Sequence, residues 1–92
     1  MSLSNIVFPG SLPSLDLHGF DRESARVAVN DFIKESLKLQ REHVLIIHGR
    51  GTGILRQMVH QTLRENRMVE EFQLDFFNPG STIVKIRLPK KI

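Results

Sequence analysis

Ninety-two residues suffice for one compact domain with a single core and are too few for two ordinary domains. The chain is 40% hydrophobic and 25% charged, has no apolar run approaching the length of a membrane helix, and has no cysteine. These features exclude a transmembrane helix, a disulfide framework, a zinc finger and a cysteine nucleophile, while thirteen Lys and Arg against ten Asp and Glu leave a formal charge of +3 that tolerates a polyanionic partner without histone-like basicity.

Met1-Ser2-Leu3 has no basic stretch leading into an apolar one, so a cytoplasmic location with no membrane partner is expected. Residues 1–14 carry Ser, Asn, Gly10 and two prolines without periodicity, and read as an arm that can wrap the domain formed by residues 15–92. "LDLHG" then alternates apolar and polar, placing Leu15 and Leu17 on one side of a short strand and Asp16 and His18 on the other. Asp21 is the expected N-cap of a helix from Arg22 to about Gln40, with Glu23 favourably placed in its first turn. Ala25, Ala28, Val29, Phe32, Ile33 and Leu37 form its apolar stripe. "HVLII", His43 to Ile47, is a buried strand. After "HGRGTG", a second helix ending near Asn66 carries Ile54, Leu55, Met58, Val59, Thr62 and Leu63 on one stripe.

The period then changes. In "VEEFQLDFF" Phe72, Leu74 and Phe76 alternate with Gln73, Asp75 and Phe77, and in "TIVKIRL" Val84, Ile86 and Leu88 alternate with Ile83, Lys85 and Arg87. Between them Asn78 to Ser81, "NPGS", supplies turn chemistry for an antiparallel hairpin. Pro89, Lys90 and Lys91 end the last strand.

The order βαβαββ implies an α/β, two-layer α+β sandwich. The first two strands are parallel through a right-handed crossover, the last two form a hairpin, and both helices cover one face of a four-stranded mixed sheet. The other face is expected to be open and polar, carrying Asp16, His18, Gln73, Asp75, Lys85 and Arg87. Lys85 and Arg87 are its candidate nucleic-acid contacts.

A strand feeding a helix through Gly49-Arg50-Gly51-Thr52-Gly53 points backbone N–H groups and the positive helix end at one place, where an anion fits. The loop lacks the Lys and glycine spacing of a Walker A motif and has Ile54 where the dinucleotide fingerprint needs glycine. Taken alone it reads first as a tight turn, with Thr52 as N-cap. Asp16, His18 and His48 lie at the carboxyl ends of the two parallel strands, where open α/β sheets bind ligands. An Asp–His pair can orient a water and move its proton near neutral pH, a second imidazole can protonate a leaving oxygen, and N–H groups with Arg50 can stabilise charge on phosphorus. The three side chains could also hold a divalent cation, although no pair has a diagnostic metal spacing. No other cofactor is expected.

Arg56, His60, Arg64 and Arg67 repeat at helical spacing beside Arg22 and Arg26, as a surface tracking a phosphate backbone or simply a solvated face. Arg56, beside the loop, is the residue of this group assigned to binding. His43 and His60 are expected to be solvated. There is no Tyr or Trp, and among six Phe only Phe77 is expected to be exposed, so core packing rather than base stacking is the expected role of most.

"LDLHG" about thirty residues before "HGRGTGILR" resembles the small MutS-related (Smr) domain family, whose signatures are LDLHG and HGxGxG. The resemblance spans Leu15 to Leu88. It implies a βαβαββ fold similar to the C-terminal domain of bacterial translation initiation factor three. It also implies nucleic-acid binding with endonuclease activity on DNA or RNA, in DNA repair and recombination control or in quality control of RNA at the ribosome. The Asp and His that the family uses in cleavage match Asp16 and His18, and the HGxGxG residues match His48, Gly49, Gly51 and Gly53. Many members have a glycine-rich segment before the final strand, where this chain has "NPGSTIV" and only Gly80. The resulting expectation is a monomeric endonuclease; the alternative is a module that grips branched nucleic acid or the ribosome without cutting.

Overall fold

The computed structural model describes residues 9–89. A 3-10 turn at Pro9–Ser11 precedes β1 (Ser14–Asp16), α1 (Arg22–Lys38), β2 (His43–Ile47), α2 (Ile54–Glu65), β3 (Val69–Leu74) and β4 (Ser81–Ile86). Lys90 and Lys91 lie outside the described residues, as does the arm before Pro9.

Helix α1 starts where Asp21, in extended conformation, accepts a hydrogen bond from the Ser24 amide at 2.8 Å. It stops two residues before the expected end because Gln40 turns left-handed (φ 56°), and the Arg41 amide then closes the turn on Ser36 O at 2.9 Å. Ala25, Val29 and Ile33 are fully buried, with Ala28, Phe32 and Leu37 packed around them. In α2 the buried set is Met58, Val59, Thr62 and Leu63. Ile54, expected in that stripe, is 50% exposed, since the first helical residue lies above the glycine loop rather than over the sheet.

The sheet order is β1-β2-β4-β3. Strands β1 and β2 are parallel, with Asp16 opposite Ile47; β2 and β4 are antiparallel, as are β4 and β3. Both helices share one core with Leu17, Val44, Ile46, Val84 and Ile86, alternate residues that identify the covered face.

Two expectations about strand faces fail. The second face is not uniformly polar: Leu45 and Ile83 form a small apolar cluster there, covered by Leu12 from the arm and by Ile47. Phe76 does not point at the helices but is 86% exposed, because β3 ends at Leu74. The buried Asp75 side chain accepts the Phe77 amide at 3.0 Å, a local turn that breaks the two-residue alternation.

Leu17 connects fold and site. It is fully buried between exposed Asp16 and His18, and its amide donates to Ile47 O at 2.9 Å. Leu17→Ala is expected to cost about 2–5 kcal/mol, read as a lower urea midpoint at unchanged slope.

Candidate phosphate-binding cleft

Parallel pairing brings the carboxyl ends of β1 and β2 side by side. Just past β1, Asp16 Oδ1 accepts the His18 amide at 2.9 Å, and Gly19 (φ 82°) turns the chain away, leaving Asp16 and His18 exposed at the rim. A cleft of about 390 Å³ joins Asp16 and His18 to His48, Gly49 and Leu55. A second recess of about 210 Å³, walled by Gly51, Thr52, Gly53 and Arg56, shares His48, Gly49 and Leu55 with it.

Two of the three loop glycines answer to backbone geometry. Gly49 has φ 83°, and Gly53 has φ 84° as the N-cap of α2. Gly53, not Thr52, is thus the cap, and it offers no side-chain hydrogen bond; the Thr52 hydroxyl accepts only a long 3.4 Å contact from the Ile54 amide. The positive end of α2 therefore opens into the recess that also holds Arg56. Gly51 has neither a left-handed φ nor any atom within 4 Å of an added Cβ, so the fold does not require glycine there. Close approach of a ligand to the backbone would.

His48, expected as a second imidazole beside Asp16 and His18, is committed to the protein itself. It is 7% exposed, and both ring nitrogens are engaged. Nδ1 lies 3.0 Å from Gly49 O, which can only accept, so Nδ1 carries the proton. Nε2 of the neutral ring must then accept, and its partner at 2.8 Å is the Thr82 hydroxyl, which donates. The same oxygen is 2.7 Å from His60 Nε2, which donates to it. One buried hydroxyl thus joins two imidazoles in a defined direction, His60 to Thr82 to His48. The rings meet edge to face at 5.9 Å, and His60 also packs on Phe72 at 5.0 Å. His60 is therefore not solvated as expected. Its spacing three residues before Leu63 put it on the edge of the buried stripe, the one local signal for this. Burial lowers the pKa of both rings, and the neighbouring His48 and then the Arg64 and Arg56 cations lower that of His60 further.

The remaining candidates divide. Arg50 lies against the hairpin, its Cγ 3.3 Å from where a Gly80 side chain would begin. Lys85 and Arg87 are not brought to the cleft. Lys85 pairs in register with His43, at the opposite end of β2 from His48, and forms a 2.9 Å ion pair with Glu70. Arg87 donates to Arg67 O at 3.2 Å and Val69 O at 3.4 Å. Among the described residues no group of three His, Asp or Glu could hold a metal ion, so Asp16, His18 and His48 share a cleft without forming a ligand set. No described helix is long and apolar enough to cross a membrane.

A family model described as the Smr domain matches residues 15–87. Among related proteins, the chain is 40% identical over 72 residues to Endonuclease MutS2 of Geobacillus thermodenitrificans, covering 78% of this chain and 9% of that protein. It is 31% identical over 78 residues to Endonuclease MutS2 of Clostridium perfringens, covering 85% and 10%. The chain thus spans about a tenth of the length of these relatives. Among solved structures, the Smr domain of Thermus thermophilus MutS2 superposes with TM-score 0.80 at 30% identity, covering 83% of this chain and 99% of that one. YdaL, a stand-alone small MutS-related protein from Escherichia coli, gives TM-score 0.76 at 30% identity over 80% of this chain and 63% of its own.

Two outcomes follow from the imidazole pair. Both folded-state pKa values lie below the ordinary 6.5, so the unfolded chain binds more protons on acidification. The associated stability is present above about pH 6.5 and is lost as pH falls below it, which urea titrations across this range will register. Thr82→Val keeps the shape but leaves His48 Nε2 and the His60 N–H unpartnered; it is expected to cost about 1–3 kcal/mol and to change the tautomer signals of both rings in nitrogen-detected NMR.

Proposed function

The chain belongs to the Smr domain family, and on that basis we propose that it grips a nucleic-acid phosphate at the glycine loop and hydrolyses the phosphodiester beside it. The observation that carries this reading is the cleft in which Asp16 and His18 meet the loop of His48 and Gly49, residues that also wall the recess at the N-terminus of α2 and Arg56. Loop N–H groups, the helix end and the Arg56 guanidinium together favour a phosphate and would oppose the charge that grows on phosphorus during attack.

His18 is the acid–base group. Its ring makes no hydrogen bond among the described residues, whereas its backbone is fixed to the Asp16 carboxylate. It takes a proton from the attacking water and then releases it to solvent at the open rim, while the departing oxygen, on the opposite side of phosphorus, takes its proton from solvent, so the proton count closes. The Asp16 carboxylate, exposed beside it, orients the water and stabilises the imidazolium formed between the two transfers. His48 was expected to act as the second imidazole. With both nitrogens spent on Gly49 O and Thr82, it serves instead as a positioning residue that fixes the loop. DNA and RNA both fit this scheme, and so do the repair and ribosome-associated settings.

Wild-type protein is expected to nick plasmid DNA or cut structured RNA. The Asp16→Asn, His18→Ala double variant should lose about a hundredfold or more in rate with an unchanged circular dichroism spectrum. Equal cutting by that variant overturns the assignment. Salt-dependent binding of intact nucleic acid by a nuclease-free preparation identifies a gripping module instead.

A further inference from the structure

The most conspicuous feature outside the cleft is the tip of the β3–β4 hairpin. Phe76 and Phe77 are 86% and 81% exposed, with ring centres 5.3 Å apart and planes at 82°. Single exposed apolar residues are ordinary; two adjacent aromatic rings left in water at one place mark a contact surface.

The tip is braced from beneath. Asp75, itself buried, accepts the Phe77 amide, and its own amide donates to Ser81 O at 2.9 Å. Asn78 closes the turn by accepting the Gly80 amide on its side chain at 3.1 Å and the Ser81 amide on its carbonyl at 3.0 Å. Gly80 O then accepts the amides of both His48 and Gly49 at 2.9 Å. The rings are thus held on the same framework as the phosphate loop. Three trans peptide steps separate Phe77 from Gly80, which bounds their Cα atoms to about 11 Å of each other.

Charge identifies the occupant. Residues 76–80 carry no charged side chain, while Arg50 lies directly against Gly80. A neutral aromatic tip beside a cationic, N–H-lined loop matches the alternation of a polynucleotide, in which every phosphate is followed by a flat base. Bases within a duplex have both faces covered by their neighbours, so only an unpaired base offers a face to a ring. We propose that Phe76 and Phe77 form a stacking station for an unpaired base adjoining the phosphate held by the glycine loop, which makes single-stranded nucleic acid the preferred ligand over blunt duplex. This rests on the phosphate-gripping reading above and narrows its substrate.

The test is fluorescence anisotropy with one labelled oligonucleotide in three forms: single-stranded, blunt duplex and abasic single strand. Wild type is expected to favour the single strand over the other two. Phe76→Ala with Phe77→Ala should lose about tenfold in single-strand affinity while keeping the duplex affinity and the slope of binding against salt. Replacement of both by Trp should restore binding, and replacement by Leu should not, because Leu keeps the apolar surface without the ring. Both rings are largely exposed, so melting temperatures should stay at the wild-type value. Wild-type single-strand affinity in the Ala variant, or equal rescue by Leu, overturns the proposal; the latter would point to an apolar protein surface as occupant. If that affinity also falls with Arg56→Ala, the phosphate-gripping reading survives alone. If wild type binds none of the three, both readings fall together.

Discussion

The carbonyl of Gly80 accepts two amides at once, those of His48 and Gly49, and the arrangement of the site follows from that junction. It ties the turn before β4 to the loop after β2, so the glycine loop is braced by an element more than thirty residues further along the chain. Gly80 is buried, and a side chain there would meet Asn78 Oδ1 at 3.3 Å and the Gly49 backbone at 3.4 Å. Two residues on, the Thr82 hydroxyl repeats the connection through the His48 ring and extends it to α2 through His60. Strand, hairpin and helix thus converge on one buried polar knot, each of whose members has a partner. Such a knot specifies a single arrangement more sharply than apolar packing of the same volume, because any slip strands a donor or acceptor away from water.

The proposed mechanism separates groups that hold from groups that act. His48 is desolvated and committed, and its lowered pKa is a consequence of burial. Asp16 and His18 sit at the rim with backbone fixed and side chains open to solvent. A group that must exchange protons with water needs that access, whereas a group that positions a phosphate loop needs rigidity. The pair of parallel strand ends supplies both within one cleft, since Leu17 points into the core while its two neighbours point out.

Much of this was legible in the sequence because it is local. The stripes of α1 and α2, the β-branched run of β2 and the Asp21 cap all act within one or two turns of chain, and each formed with ends within about two residues of expectation. Convergence of Asp16, His18 and His48 was readable too, because a parallel pair puts its carboxyl ends together whatever the side chains are. What failed is non-local. Periodicity cannot show that β4 lies between β2 and β3, and that place puts Ile83 against Leu45 under Leu12 and sends Lys85 to the end of β2 far from the loop. Nor can it show that His60 would find a hydroxyl 22 residues later. Phe76 was misplaced because the Asp75 side chain captures the Phe77 amide two residues on, a side-chain competition invisible to alternation counts.

Charge shows the same contrast between total and placement. A formal +3 says little about where a polyanion would lie. Two cations are neutralised where they stand: Arg26 by Glu23, Lys85 by Glu70. Exposed pairs of this kind add little stability, but they flatten the potential around them. Arg50 and Arg56 form no ion pair among the described residues, and both flank the glycine loop, one against the hairpin and one in the recess. Both therefore add their charge at the N-terminus of α2, where the helix dipole is positive. On the proposed reading, a phosphate held at that end is a contact without sequence information, and discrimination among nucleic acids would fall to the shape and side chains immediately beside the loop.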